Sequence, residues 1–287
     1  MRLSTLSFLS IEWTSLDPYL FASGPGFGEF PGYAASRGSP DSQSLRDDYG
    51  RNAPKALIDQ IVAQMLAFRE GAGPDMQLKL DTNYSFKTEG YIKIARALGE
   101  SGVGMDWLEL DNYEPKALAR IKEAASNESV SIASLESLYG RKQFYPFLEA
   151  GAVDVAIIDA TWNGVWESYK IAAMCDMYDV NVAAHNFAGH MGTLMSANFL
   201  AAIPNFRVLE CDFEDVPWKD ALMTHPPVIV EGEMLVPTRP GWGSDVNEDV
   251  VRAHPTKNSP TWHALLGKGQ LGSSNYPEDA GFATPRL

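Results

Sequence analysis

The sequence predicts an α/β fold, with parallel strands and helices in alternation wound as a partial (β/α) TIM-type barrel. Two observations predict it. From Ala53 onward, short apolar or β-branched runs alternate with segments of helical spacing, the pattern of βαβ units. These runs also lead to polar residues at a near-constant beat: Asp81 after MQLKL, Glu109 after MDWL, Glu136 after VSIASL, Asp159 in VAIID, His185 in VNVAAH and Glu210 in RVLE. The gaps are 28, 27, 23, 26 and 25 residues, each about one strand, loop, helix and loop. In a parallel barrel the C-terminal strand ends lie side by side, so six positions far apart in the chain meet at one mouth.

Taken in order, residues 1–52 read as an irregular N-terminal segment rich in Gly, Pro and Ser (GPGFGEFPGY, SRGSPDSQS), with turn signals and little periodicity. The opening MRLSTLSFLSIEW imitates a secretory signal only faintly: Glu12 and Asp17 follow quickly and no small-residue cleavage site appears. Leu57, Ile61, Met65, Leu66 and Phe68 then give helical spacing up to GAGP at 71–74, and LKL leads to Asp81. Further helices are expected at 88–100, 114–126, 141–150, 163–178 and 191–203, with Pro115 where a first-turn proline is tolerated. After Glu210 the period breaks. Residues 53–255 form the expected barrel domain, closed by a proline-rich wrap around PGWGSD, and 256–287 the expected C-terminal tail.

A chain of 287 residues with 45% apolar content suits one large domain with a substantial core. The net charge of −14 argues against nucleic acid and anionic membrane as partners, since both favour basic surfaces. Cys175 and Cys211 fall on a predicted helix and a strand end and read as buried thiols of a reducing compartment, so the expected location is cytoplasmic. No apolar run is long enough for a membrane span. GPGFG at 24–28 lacks the strand–loop–helix of a dinucleotide site, and no phosphate loop, G-x-S-x-G elbow, paired CxxC or His-x-His motif occurs.

Three carboxylates at one mouth repel each other unless a cation sits among them, and hard ions such as Mg²⁺ take oxygen ligands of this kind. Asp81, Glu109 and Glu136 are the candidates. Taken singly, Asp81-Thr82-Asn83 also suits a turn or cap, Glu109 a solvated loop and Glu136 a helix cap; their common spacing is what favours a metal site. Asp111 competes with Glu109, which is preferred because it ends MDWLE directly. His185 with Asp159 reads as a base and its orienter, against a histidine bonded within its own loop. Glu210 reads as a proton donor or a plain strand-end acid; His190 as a loop residue; His225, His254 and His263 as surface positions. Lys79, two residues before Asp81 and on the same inward face, is either an ion-pair partner or a base of lowered pKa.

The ordered set GAGPDMQLKLDTNYSF, DWLELDNYEP, SIASLESLYG, DVAIIDATWNG, VAAHNFAGHMG and NFRVLECD, spread over residues 53–255, resembles the enolase superfamily, in its mandelate racemase/muconate lactonizing group. The resemblance implies Mg²⁺ on Asp81, Glu109 and Glu136, a His185–Asp159 dyad as base or acid, and Glu210 at the last strand. AAHNFAGH and PGWG are similar to the acid-sugar dehydratases of that group. The implied reaction takes the proton alpha to a carboxylate and expels a β-hydroxyl from a small hydroxy or sugar acid. The alternatives are a racemase or cycloisomerase of the same superfamily, or a truncated relative that keeps the metal pocket without catalysis. Family members carry an N-terminal α+β capping domain, for which residues 1–52 are too short, and no Lys-x-Lys base motif precedes residue 53. The open edge of such a shortened barrel would suit pairing with a second copy, a homo-oligomer.

Overall fold

A computed structural model describes residues 2–9, 19–23, 50–186, 188–211 and 217–254. Strands β1 (Arg2–Leu9) and β2 (Tyr19–Ser23) form an antiparallel pair. Helix α1 (Lys55–Ala72) then opens a regular alternation: β3 (Gln77–Asp81), α2 (Thr88–Glu100), β4 (Met105–Glu109), α3 (Pro115–Ser126), β5 (Ser131–Ser134), α4 (Gly140–Glu149) and β6 (Val155–Asp159). The short α5 (Ala160–Asn163) and α6 (Val165–Met177) follow, then β7 (Asn181–His185), α7 (Gly189–Leu200) and β8 (Phe206–Cys211). Each of β3 to β8 lies parallel to the next, giving six parallel strands delivered by βα crossovers.

The strand faces follow the period of two. Leu78, Leu80, Leu108, Ile132, Ala156, Ile158, Val182, Ala184 and Leu209 point outward into the main core beneath the helices. Trp107, Ala133, Val155, Ile157, Ala183 and Val208 form a separate cluster inside the curled sheet. On the helix side, α2 buries Tyr91, Ile94, Ala95 and Leu98 along one stripe. Helix α3 starts at the expected Pro115, with the Glu114 side chain accepting a hydrogen bond from the Lys116 amide. The end of α2 passes so close to the turn after α3 that a Cβ on Gly99 would lie 2.3 Å from the Glu128 Cβ.

Two register shifts alter the inner face. Leu78 and Lys79 oppose Met105 and Trp107, leaving Asp106 out of register, and Val182 and Ala183 oppose Phe206 and Val208, leaving out Arg207. Such bulges re-aim a side chain. Asp106 and Arg207 turn inward near the N-terminal ends of β4 and β8, where the Arg207 guanidinium pairs with the Asp106 carboxylate. Lys79 Nζ lies 2.8 Å from the same carboxylate. Both cations stand over the Trp107 ring, at 4.6 Å for Lys79 and 5.5 Å for Arg207. The floor of the barrel is an ion-pair network built on an indole.

The N-terminal expectation needs correction. Residues 1–52, expected to be irregular, supply β1 and β2, and the pair bridges the gap between β8 and β3. Strand β1 runs parallel to β8 (Leu6 opposite Glu210), while β2 runs antiparallel to β3 (Tyr19 opposite Asp81). The β/α part is thus a partial barrel, and a hairpin-like pair takes the place of two βα units. The Leu/Ser-rich text of β1 has no strict alternation; strand form there comes from partners distant in sequence. Strands β9 (Ile229–Val230) and β10 (Glu233–Leu235) extend the sheet from the start of β1.

The compact unit containing the barrel spans Met1–Asn247, so its limits differ from the expected 53–255. A second unit, Glu248–Leu287, has helix α8 (Glu248–Ala253) as its described element. The GPGFG stretch, His263 and the expected tail at 256–287 lie outside the described residues. Helix 163–178 is interrupted at its start by Gly164 at φ +72°, which separates α5 from α6. Cys175 and Cys211 are free and buried. Among the described residues, no helix is long and apolar enough to cross a membrane.

Candidate active site

The inward parity that places Trp107 and Ile157 inside the sheet places Asp81, Glu109, Asp159, His185 and Glu210 one layer higher, at the C-terminal ends of their strands. Asp81 and Glu109 are register partners, as are Asp159 and His185. Glu136 lies two residues beyond β5, after Leu135, whose φ of +91° is rare for a branched, fully buried residue. That left-handed step turns the chain so that the Glu136 carboxylate returns to the mouth, 3.6 Å from His185 Nε2. Asp81, Glu109, Asp159 and Glu210 are all buried.

Each acid has its own local support. Asn83, at φ +46°, folds back so that its amide N–H donates to Asp81 Oδ1 at 2.8 Å and its side-chain N–H₂ to Oδ2 at 3.2 Å. The Trp107 indole N–H donates to Glu109 Oε2 at 3.2 Å. Glu210 Oε2 accepts the Asn186 amide at 2.5 Å, while the Asn186 side chain donates to the Glu210 carbonyl and to Thr193 Oγ1, each at 2.8 Å. Asp111, the rival of Glu109, is buried in the same cluster and likewise accepts from protein donors: the Leu135 amide, Tyr84 and Ser134.

Asp159 carries two loads. Its Oδ2 lies 2.8 Å from His185 Nδ1. Its Oδ1 caps α5, accepting from the Thr161 amide and hydroxyl at 2.6 Å each and from the Trp162 amide at 2.8 Å. Nδ1 of His185 is therefore turned to its carboxylate and Nε2 to the cavity. Burial opposes charge on His185, but Glu136, Asp159 and Glu210 outweigh it and raise its pKa to about 10. For Asp159, burial is outweighed by the bonds to His185 and Thr161, which hold its carboxyl below the usual range.

The remaining acids move the other way. Burial, reinforced by Asp111, raises Asp81 to about 7 despite the Asn83 amide. Burial raises Glu210 to about 8, against the pull of His185 and Asn186. Glu109 is pushed well above the ordinary carboxylate range by burial and by Asp81, Glu136 and Glu210. Glu136 is also raised by burial, against His185, with Asp111 and Asp81 adding to the rise. Among the described residues, no group of three or more His, Cys, Asp or Glu side chains is closed into a ready metal cluster. The donor set nevertheless suits a hard divalent cation. It is all carboxylate oxygen, buried and mutually repelling, and a cation would relieve both penalties.

Lys79 is fully buried and ion-paired with Asp106. His190 sits at the start of α7, with Nε2 2.6 Å from Asp220 Oδ1. His225 and His254 are exposed. Sequence reasoning passed over Trp107, Asn186 and Trp162. The first was legible, because it precedes Glu109 by two on the same face. Asn186 acts through hydrogen bonds to Thr193 and Glu210, and Trp162 through ring contacts with Tyr139 and His185, which spacing does not encode.

The family profile described as Enolase C-terminal domain-like matches residues 44–250. A D-xylonate dehydratase of Haloferax volcanii is 31% identical over 210 residues, covering 73% of this chain and 50% of that protein. A D-galactarolactone cycloisomerase of Agrobacterium fabrum is 27% identical over 205 residues, covering 68% of this chain and 53% of the relative. The chain thus spans about half the length of these curated relatives. Among solved structures, a Burkholderia xenovorans protein provisionally named an L-alanine-DL-glutamate epimerase, bound to magnesium and fumarate, is 43% identical with a TM-score of 0.68. That likeness covers 74% of this chain and 52% of the other.

Proposed function

The chain belongs to the enolase superfamily, in its mandelate racemase/muconate lactonizing group, and from that premise we propose a Mg²⁺-dependent lyase of the acid-sugar dehydratase kind. The observation that carries the reading is the gathering of Asp81, Glu109 and Glu136 with the His185–Asp159 dyad and Glu210 on one barrel rim. In this reading Asp81, Glu109 and Glu136 hold the ion. Mg²⁺, when bound there, would neutralise the substrate carboxylate as negative charge develops on it. Unopposed, the surrounding acids keep His185 protonated; once their charge is offset, His185 Nε2 takes the proton from the carbon alpha to that carboxylate. Asp159 keeps the ring turned and stabilises the imidazolium. His185 then returns the proton to the β-hydroxyl, which leaves as water as the alkene forms. Glu210, held by the Asn186 amide, faces the same ring and assists the transfer.

Dehydratases and cycloisomerases are both among the relatives, and a protein provisionally named an epimerase among the structures. A racemase needs a second base on the opposite face of the substrate. Lys79 does not offer one in this reading, since its ammonium is committed to Asp106 below the acid layer. The test is incubation of the Mg²⁺-loaded protein with a panel of aldonic and aldaric acids, scoring 2-keto-3-deoxy acid release and solvent deuterium uptake at the alpha carbon. Release that disappears with His185→Asn supports the lyase. Deuterium uptake without release would move the reading to a racemase, and neither, in a folded metal-bound protein, would remove the enzyme.

A further inference from the structure

Beside the dyad stands an aromatic wall that the proposed chemistry does not use. The Trp162 ring centroid lies 5.0 Å from that of His185, tilted by 51°. The Tyr139 ring stacks against Trp162, with centroids 6.1 Å apart and planes within 15° of parallel. Trp162 and Tyr139 are exposed, at 45% and 48%, whereas the His185 side chain beside Trp162 is 15% exposed. Neither ring hangs on a loose loop. Trp162 belongs to α5, whose first turn is capped by Asp159. Asn163 ties that turn to the loop carrying Tyr139: its side chain accepts the Gly140 amide at 2.8 Å and donates to the Leu138 carbonyl at 3.2 Å. The wall therefore spans the ends of β5 and β6 and is fixed to the dyad by the same carboxylate that orients the histidine.

Exposed aromatics beside a ring of acids give the mouth two kinds of surface: carboxylates that suit a cation, and aromatic surface that suits C–H groups. Indole and phenol faces are electron-rich and favour weakly positive C–H edges. A substrate whose carboxylate sits at the acids and whose alpha carbon faces His185 Nε2 must send the rest of its chain past one side of that histidine, and Trp162 occupies such a side. We propose that Tyr139 and Trp162 form a subsite for the C–H face of a sugar acid's carbon chain beyond the β-carbon, with Trp162 the contact that selects long polyhydroxy acids over short hydroxy acids. This rests on the lyase reading of the same site and adds the class of substrate.

The experiment uses the full chain with saturating Mg²⁺ and compares wild type, Trp162→Ala and Trp162→Phe. D-Xylonate, D-gluconate and D-galactonate are the long probes and glycolate the short one, with affinities measured by calorimetry. Fold is checked by circular dichroism, and Mg²⁺ affinity is measured separately. Loss of one aromatic stack corresponds to about a tenfold weaker affinity. The expected result is that loss for the best long acid in Trp162→Ala, most of it restored in Trp162→Phe, with glycolate and Mg²⁺ binding unmoved. Equal weakening of long and short acids would overturn the subsite, since Trp162 would then only hold His185 in place. Unchanged affinity for both would overturn it as well. Wild type that binds none of these acids in the presence of Mg²⁺ would overturn the lyase reading and the subsite with it.

Discussion

Replacing Lys79 by methionine separates its two chemical roles. The lysine is fully buried, with Nζ 2.8 Å from the Asp106 carboxylate and 4.6 Å from the Trp107 ring centroid. Burial lowers its pKa against the pull of Asp106, the profile shared by a structural ion pair and an inward base. Removing one partner of a buried pair costs about 3–5 kcal/mol when the other is left uncompensated. Here Arg207 stays on Asp106, and a methionine of similar length packs on the same indole, so the expected loss falls just below that range, about 2–3 kcal/mol. At the few degrees per kcal/mol usual for a chain of this size, the melting temperature falls by about 5–10 °C. Urea denaturation followed by tryptophan fluorescence gives the free energy. Asp106→Asn completes a double-mutant cycle, with a coupling energy of about 2 kcal/mol expected. Deuterium exchange into substrate is measured on the same samples below their transitions and should persist. Stability unchanged to within about 0.5 kcal/mol, together with loss of exchange, would refute the structural assignment and make Lys79 the base.

Three further outcomes are expected. Trp107→Phe keeps a ring between Lys79 and Arg207 but removes the N–H that Glu109 accepts at 3.2 Å, so Mg²⁺ or Mn²⁺ affinity, read by calorimetry or paramagnetic resonance, should weaken about tenfold. In metal-free protein the raised values of Asp81 (about 7) and Glu210 (about 8) mean the folded state binds more protons than the unfolded one. Their stabilisation is full below the ordinary carboxylate range and is lost as pH rises toward 8, so melting temperature should fall from pH 5 to 8, and Mg²⁺ should restore it most at the upper end. A flat metal-free profile would contradict the repulsion described at the mouth. Asp159→Asn should lower turnover by about 100-fold or more by freeing the His185 ring, with a smaller loss of thermal stability because an amide oxygen still caps α5.

The strand ends and helices were readable because two periods, of two and of 3.6, agree with each other from residue 55 onward. Glu109, Asp159 and His185 end their strands where the apolar runs end. What could not be read came from places where a period is broken or where the partner is remote. By strict alternation Asp106 and Arg207 face outward; the two register shifts turn them in, and no local residue type announces this. Strands β1 and β2 lack alternation and depend on β8 and β3 for their form. Glu136 reaches the mouth only through the left-handed backbone at Leu135, a cost no propensity scale would assign to leucine.

In the proposed lyase, the double duty of Asp159 would make the entrance and the proton path mechanically one part. An engineer who grafts a new loop over residues 160–164 to admit a bulkier acid also disturbs the tether that aims the imidazole. Altered selectivity and altered isotope effects should therefore arrive together. Decoupling them would require a fresh anchor for the histidine before the gateway is redrawn.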